Sequence, residues 1–235
     1  MTGGDFKLRS QAEGFAFSAY RVDPVGERRG GLVLLQEIFG VNANIRALAD
    51  SFAADGFEVI APSLYDRTEP GFQAGYDEEG FQKGLGAAGA QNWDVVMADI
   101  QTCIDHLEGP VFLAGFCWGG TAAWLAAARC TGIRAVSAFY GHAIKGFLDE
   151  KPRRPIILHY GERDPFVPPE DVDAIEAALP DIRLFRYDAG HGFFSDRAAN
   201  TGGEDRFVNG YDAEASALAR RRTLQFFEDY DAIPD

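Results

Sequence analysis

Short, unbroken apolar runs recur along this chain, most of them followed by a stretch of helical periodicity, and this constrains the fold more than any other feature. Gly31–Gln36 (GLVLLQ), Phe57–Ala61 and Val111–Phe116 (VFLAGF) read as strands buried on both faces. Ile133–Tyr140, Pro155–Tyr160 and Ile182–Tyr187 read as further strands. Between them lie helical patterns at Asn44–Ala54, Thr121–Arg129, Pro169–Leu179 and Ala213–Phe227. Val96, Ile100, Cys103, Ile104 and Leu107 form one more helical stripe. Alternation of this kind predicts an α/β fold with a mostly parallel central sheet and helices on both faces. Gly14–Val22 alternates apolar and polar residues and is expected to be an antiparallel strand near a sheet edge.

Ligands of such sheets bind beyond the carboxyl ends of the strands, so chemistry is sought in the loops that follow them. The 235 residues are expected to form one domain, 1–235, large enough to bury a core without disulfides. The segment Thr68–Ala90 stands apart: it is rich in Gly, Asp, Glu and Gln and weakly periodic. It reads either as an excursion over the site or as a surface loop, and loops of that length tend to be functional.

Charge and composition exclude several classes. A net charge of −14 argues against a nucleic-acid partner, which requires a basic face. No apolar run is long enough to span a membrane, and the first ten residues lack the apolar region of a secretory signal. Three cysteines suggest no disulfide framework, so a cytoplasmic location is expected. No compact His/Cys spacing suits a metal, and neither metal nor cofactor is expected. The partner expected is a small-molecule substrate; monomer and dimer remain open.

The loop after the strand at Val111–Phe116 reads Gly115-Phe116-Cys117-Trp118-Gly119-Gly120 and leads into a helix. This is the glycine-x-nucleophile-x-glycine elbow with cysteine in the nucleophile's place. Small neighbours relieve the sharp turn, and a helix N-terminus favours the thiolate. A lone cysteine is more often a small buried hydrophobe, but glycines at both flanks favour the nucleophile reading. In α/β hydrolases the acid and then the histidine follow the nucleophile along the chain. Asp164 fits the first place, on a Pro-bounded turn past a strand, although such residues also serve as turn caps. His191 fits the second, between Gly190 and Gly192 after the last strand. His142 also follows a strand and competes weakly. His106 and His159 fall within a helix and a strand and read as structural.

Six stretches now carry a resemblance to the dienelactone hydrolase family of α/β hydrolases. They are LVLLQEIFGVN, VIAPSLYDR, GFCWGG, SAFYG, HYGERDPFVP and AGHGFF, spread between about Gly14 and Phe227. The resemblance implies an α/β-hydrolase fold and hydrolysis of a small lactone or ester by Cys117, His191 and Asp164. It implies that Glu37 contacts the resting thiol and helps deprotonate it, and that the backbone N–H groups of Ile38 and Trp118 form an oxyanion hole. Otherwise Glu37 is a solvated strand-end acid. Tyr140 matches a pocket-lining tyrosine, or else packs in the core. For a substrate carboxylate the candidates are Arg67, Lys83 and Arg197, each also readable as an ordinary solvated charge. Family enzymes carry an arginine shortly after the histidine; here Phe194 and Ser195 stand in that neighbourhood. A thioesterase or general carboxylesterase is the alternative enzyme, and a non-catalytic ligand-binding relative the alternative outside enzymes.

Overall fold

The computed structural model describes residues 3–196 and 210–231. Its framework is an eight-stranded sheet in the order β1-β2-β4-β3-β5-β6-β7-β8. The strands are β1 (Gly4–Arg9), β2 (Ala16–Val22), β3 (Gly30–Leu35), β4 (Phe57–Pro62), β5 (Val111–Phe116), β6 (Ala135–Phe139), β7 (Ile156–Gly161) and β8 (Arg183–Tyr187). From β4 to β8 across the sheet every pairing is parallel. β1 and β2 add an antiparallel edge. The helices are α1 (Ala43–Ala54), α2 (Glu78–Gly89), α3 (Trp93–His106), α4 (Trp118–Arg129), α5 (Pro169–Ala178) and α6 (Ala213–Asp231). A 3₁₀ turn spans Ile144–Phe147.

The central strands β3, β5, β6 and β7 are buried at every residue, which accounts for their unbroken apolar sequence. α1 and α6 share one face, where Arg220 of α6 bonds the Ser51 carbonyl and Asp55 at the end of α1. α3 and α4 pack against each other and on the sheet. His159, inside β7, is clasped by Tyr187 at 2.8 Å and Thr223 at 3.2 Å, and burial drives its pKa down to about 3. It is a neutral core histidine.

Two elements differ from expectation. β1 had no counterpart in the sequence reading. Its sequence GDFKLR alternates charges with only Phe6 and Leu8, because only one side of this edge strand meets the core. Glu13 and Gly14, at φ 58° and 65°, turn the chain into β2. The Thr68–Ala90 excursion contains the twelve-residue helix α2, capped by Asp77, whose Oδ1 accepts the Gly80 N–H at 2.7 Å. Its glycines hide the helical signal and also place the helix. A Cβ on Gly84 would lie 2.7 Å from the Ile38 carbonyl oxygen, so α2 rests directly on the loop after β3.

Strand order fixes where a ligand can enter. From β3 the chain crosses one way to β4, then returns past β3 to β5. The loops leaving β3 and β5 therefore diverge at a topological switch point, the usual binding crevice of such sheets. Glu37 and Ile38 follow β3, and Cys117 follows β5.

Candidate active site

The turn at Cys117 is built by close backbone approach. Cys117 sits at φ 56°, ψ −115°, a strained conformation for a side chain with Cβ, and its N–H donates to the Phe139 carbonyl at 3.0 Å. A Cβ on Gly115 would stand 2.0 Å from the Gly119 oxygen. One on Gly119 would stand 2.4 Å from the Gln36 oxygen and 2.5 Å from that of Leu35. The two glycines thus let β5, the first turn of α4 and the end of β3 touch. Trp118 begins α4, so its N–H is among those a helix leaves without an internal partner, and Cys117 makes no side-chain cap there. Its indole is buried between Trp93, stacked at 5.1 Å, and Tyr65.

His191 Nδ1 lies 2.7 Å from Asp164 Oδ2. The other carboxylate oxygen of Asp164 accepts the N–H groups of Phe166 at 2.8 Å and Val167 at 3.2 Å, which fixes it against the imidazole. The His191 ring is held edgewise by Tyr140 at 4.8 Å and Phe166 at 5.0 Å. Burial pulls the His191 pKa down, but the negative charges of Cys117 and Asp164 and their hydrogen bonds overcome it and raise the value to about 10. For the Cys117 thiol, burial raises the pKa. The charge of His191 and the polar influence of the two neighbouring imidazoles, His142 and His191, outweigh that effect and bring it to about 6.

Other residues singled out in the sequence fall as follows. Glu37 is buried, and its Oε2 accepts the Tyr76 hydroxyl at 2.7 Å; Asn44 in turn donates to the Tyr76 oxygen at 2.9 Å. Ile38 is buried at the loop against which α2 packs. Tyr140 is fully buried with φ 39° and packs beside His191. Arg67 is already engaged: its guanidinium binds both oxygens of buried Asp99 and the Ala12 carbonyl, and covers the Phe15 ring. Lys83 forms an exposed pair with Glu79 one turn away on α2. Arg197 lies outside the described residues.

His142, Tyr76 and Phe166 are site neighbours that the sequence reading did not select. His142 had a legible signal, its place just beyond a strand, and was set aside on chain order. Tyr76 had none. Among the described residues, no group of three His, Cys, Asp or Glu side chains clusters as metal ligands would. None of the described helices is long and apolar enough to cross a membrane.

A mostly parallel sheet with an elbow after its central strand, and a histidine and an acid in the loops after its last two strands, defines an α/β hydrolase. Within that class, the dienelactone hydrolase family profile matches residues 17–231, and the chain belongs to that family. It is 31% identical over 227 residues to the carboxymethylenebutenolidase of Pseudomonas putida, covering 91% of this chain and 92% of that one. It is also 31% identical over 234 residues to a provisionally named carboxymethylenebutenolidase of Synechocystis sp., covering 90% and 91%. A crystal structure of a provisionally named dienelactone hydrolase from Klebsiella pneumoniae subsp. pneumoniae superposes with a TM-score of 0.78 at 24% identity, covering 97% and 98%. The protein is accordingly a hydrolase of the lactone and ester type.

Proposed function

We propose that this hydrolase opens a small lactone or carboxylic ester through an acyl-enzyme on Cys117. The observation that carries the reading is the strained elbow cysteine with His191 on its thiol, the imidazole in turn fixed by Asp164 at 2.7 Å. The Cys117 sulfur attacks the acyl carbon as a thiolate. The carbon–oxygen bond breaks, and the leaving oxygen takes a proton from the His191 imidazolium. Water then attacks the thioester, giving its proton to neutral His191, and the sulfur departs as thiolate. Asp164 holds the imidazole in the required tautomer and stabilises its cation.

The N–H groups of Ile38 and Trp118 would receive the oxyanion, a role supported by the contact of Gly119 with the end of β3. Glu37 would act on this centre from the β3 side, oriented by Tyr76, and Tyr140 would wall the pocket. Arg67 and Lys83 already hold carboxylates of the protein, so of the three proposed anion contacts Arg197 keeps that role in this reading.

The test is hydrolysis of a panel of lactones, with and without a free carboxylate, and of aryl esters, by the parent and by Cys117→Ala with folding verified by circular dichroism. Turnover should fall to near background in the variant; an alanine enzyme that keeps parental turnover overturns the proposal.

A further inference from the structure

A second imidazole stands at the thiol. His142 follows β6, on a loop pinned to the first turn of α4 at both flanks of the histidine. On one side, a Cβ on Gly120 would lie 3.1 Å from the backbone of Gly141, and Tyr160 donates to the Gly141 carbonyl at 3.2 Å. On the other, the Ala143 N–H donates to buried Thr121 Oγ1 at 3.2 Å. The left-handed backbone of Tyr140 starts the same turn, and the Cys117 N–H is tied to Phe139 just before it. These contacts fix His142 beside the elbow. Its imidazole lies within interaction range of the Cys117 thiol, while the residue as a whole remains exposed, unlike His191.

We propose that His142 is a second catalytic residue, donating a hydrogen bond to the Cys117 sulfur from the solvent side and stabilising it whenever it carries charge. The inference rests on Cys117 as nucleophile. In the resting enzyme the bond favours the thiolate. It weakens when the sulfur–carbon bond forms and the charge moves to the substrate oxygen. In deacylation, water adds to the thioester carbon and yields its proton to His191, the carbon–sulfur bond breaks, and its electron pair returns to sulfur, where the His142 N–H meets it. His142 transfers no proton in either half-reaction; it stabilises the leaving thiolate.

The groups acting on His142 are the Cys117 thiol, the His191 ring and the Asp164 carboxylate. The buried Tyr65 hydroxyl also faces the thiol, and the Glu37–Tyr76 pair closes the β3 side. The interaction with Cys117 raises the His142 pKa above its ordinary range, against the partial desolvation of the ring and the His191 charge. Its charged imidazolium form, the stronger donor, therefore persists further toward neutral pH than that of a free histidine.

Two readouts test this in folded His142→Ala and His142→Gln. The first is the rate of Cys117 alkylation by iodoacetamide as a function of pH. The midpoint should rise by roughly one pH unit in the alanine variant, the expected scale for losing one charge-assisted hydrogen bond, and return part of the way in glutamine, which keeps a donor. The second is pre-steady-state ester hydrolysis. The alanine variant should show a burst of the released alcohol, with kcat falling about tenfold and kcat/KM less, because thiolate departure becomes slow. An alkylation profile identical to the parent's overturns the proposal, even if kcat falls, since His142 would then act on substrate and not on sulfur. Cys117→Ala separates the two readings. If that variant hydrolyses ester normally, the nucleophile assignment fails, whereas an unchanged alkylation profile in the His142 variants defeats this inference alone.

Discussion

At the scale of single residues, two accounts of the resting thiol can be compared. The family resemblance implies a carboxylate contact from Glu37, with the thiol protonated until substrate arrives. The structure surrounds the thiol with the imidazoles of His191 and His142 and brings its pKa to about 6, while Glu37 Oε2 holds Tyr76. A thiol of depressed pKa is thiolate above that value and thiol below it, and His191, raised to about 10, stays protonated up to there. The ion pair thus exists between about pH 6 and 10 and is lost by protonation of sulfur below that window and by deprotonation of the imidazole above it. Alkylation of the free enzyme should therefore be fast at pH 7 and fall as pH drops through about 6. Slow alkylation at pH 7 with a midpoint above 8 would restore the protonated-thiol account. Glu37→Gln is expected to lower turnover by about tenfold or more, within the usual ~10²–10⁴ range for a group assisting proton movement. Saturated turnover equal to the parent's would leave the Glu37 carboxylate a structural partner of Tyr76.

At the scale of elements, legibility followed burial. The central parallel strands were visible because both faces are covered, so their sequences are continuous and apolar. β1 was hidden because an edge strand with one side toward the core needs only a couple of apolar residues. Cys117, Asp164 and His191 could be read because turn residues mark them: Gly115 and Gly119, Pro165, and Gly190 and Gly192. The approach of His142 to the thiol, and of Tyr76 to Glu37, depends on how separate loops fold over one another, which no local pattern encodes. α2 was the hardest, since its glycines weaken helix propensity while two of them serve packing. That distinction is testable within one helix. Gly84→Ala drives a methyl to 2.7 Å from the Ile38 carbonyl, displacing the loop proposed to supply an oxyanion donor. Activity should fall, and stability should drop by about 1–3 kcal/mol, the range typical of overpacking. Gly86→Ala meets nothing within 4 Å, so it should stabilise by about 0.5–1 kcal/mol and leave activity intact. Equal effects in urea denaturation and ester turnover would show that the Gly84 contact does not position the site.

At the scale of the whole molecule, a net charge of −14 repels an anionic substrate before any local contact forms. The cations that could offset this field near the site are largely taken. Arg67 is held by Asp99, which is itself buried, and Lys83 by Glu79. An arginine committed to a bidentate carboxylate is not readily released to bind another. The consequence is a dependence on salt that differs between substrates. For a lactone bearing a free carboxylate, kcat/KM should rise as ionic strength goes from about 0.01 M to 0.15 M, because the Debye length shrinks from about 30 Å to 8 Å and screens the repulsion. For its neutral methyl ester the same change should have little effect. If the acid is instead preferred at low salt and loses that preference as salt is added, a local cation outweighs the global field. Arg197→Ala then identifies it: the preference should vanish if Arg197 is the clamp and persist if the anion is held elsewhere. A flat salt response for both substrates would show that long-range charge does not govern which lactones or esters the enzyme accepts, and that selection occurs by shape in the crevice between the β3 and β5 loops.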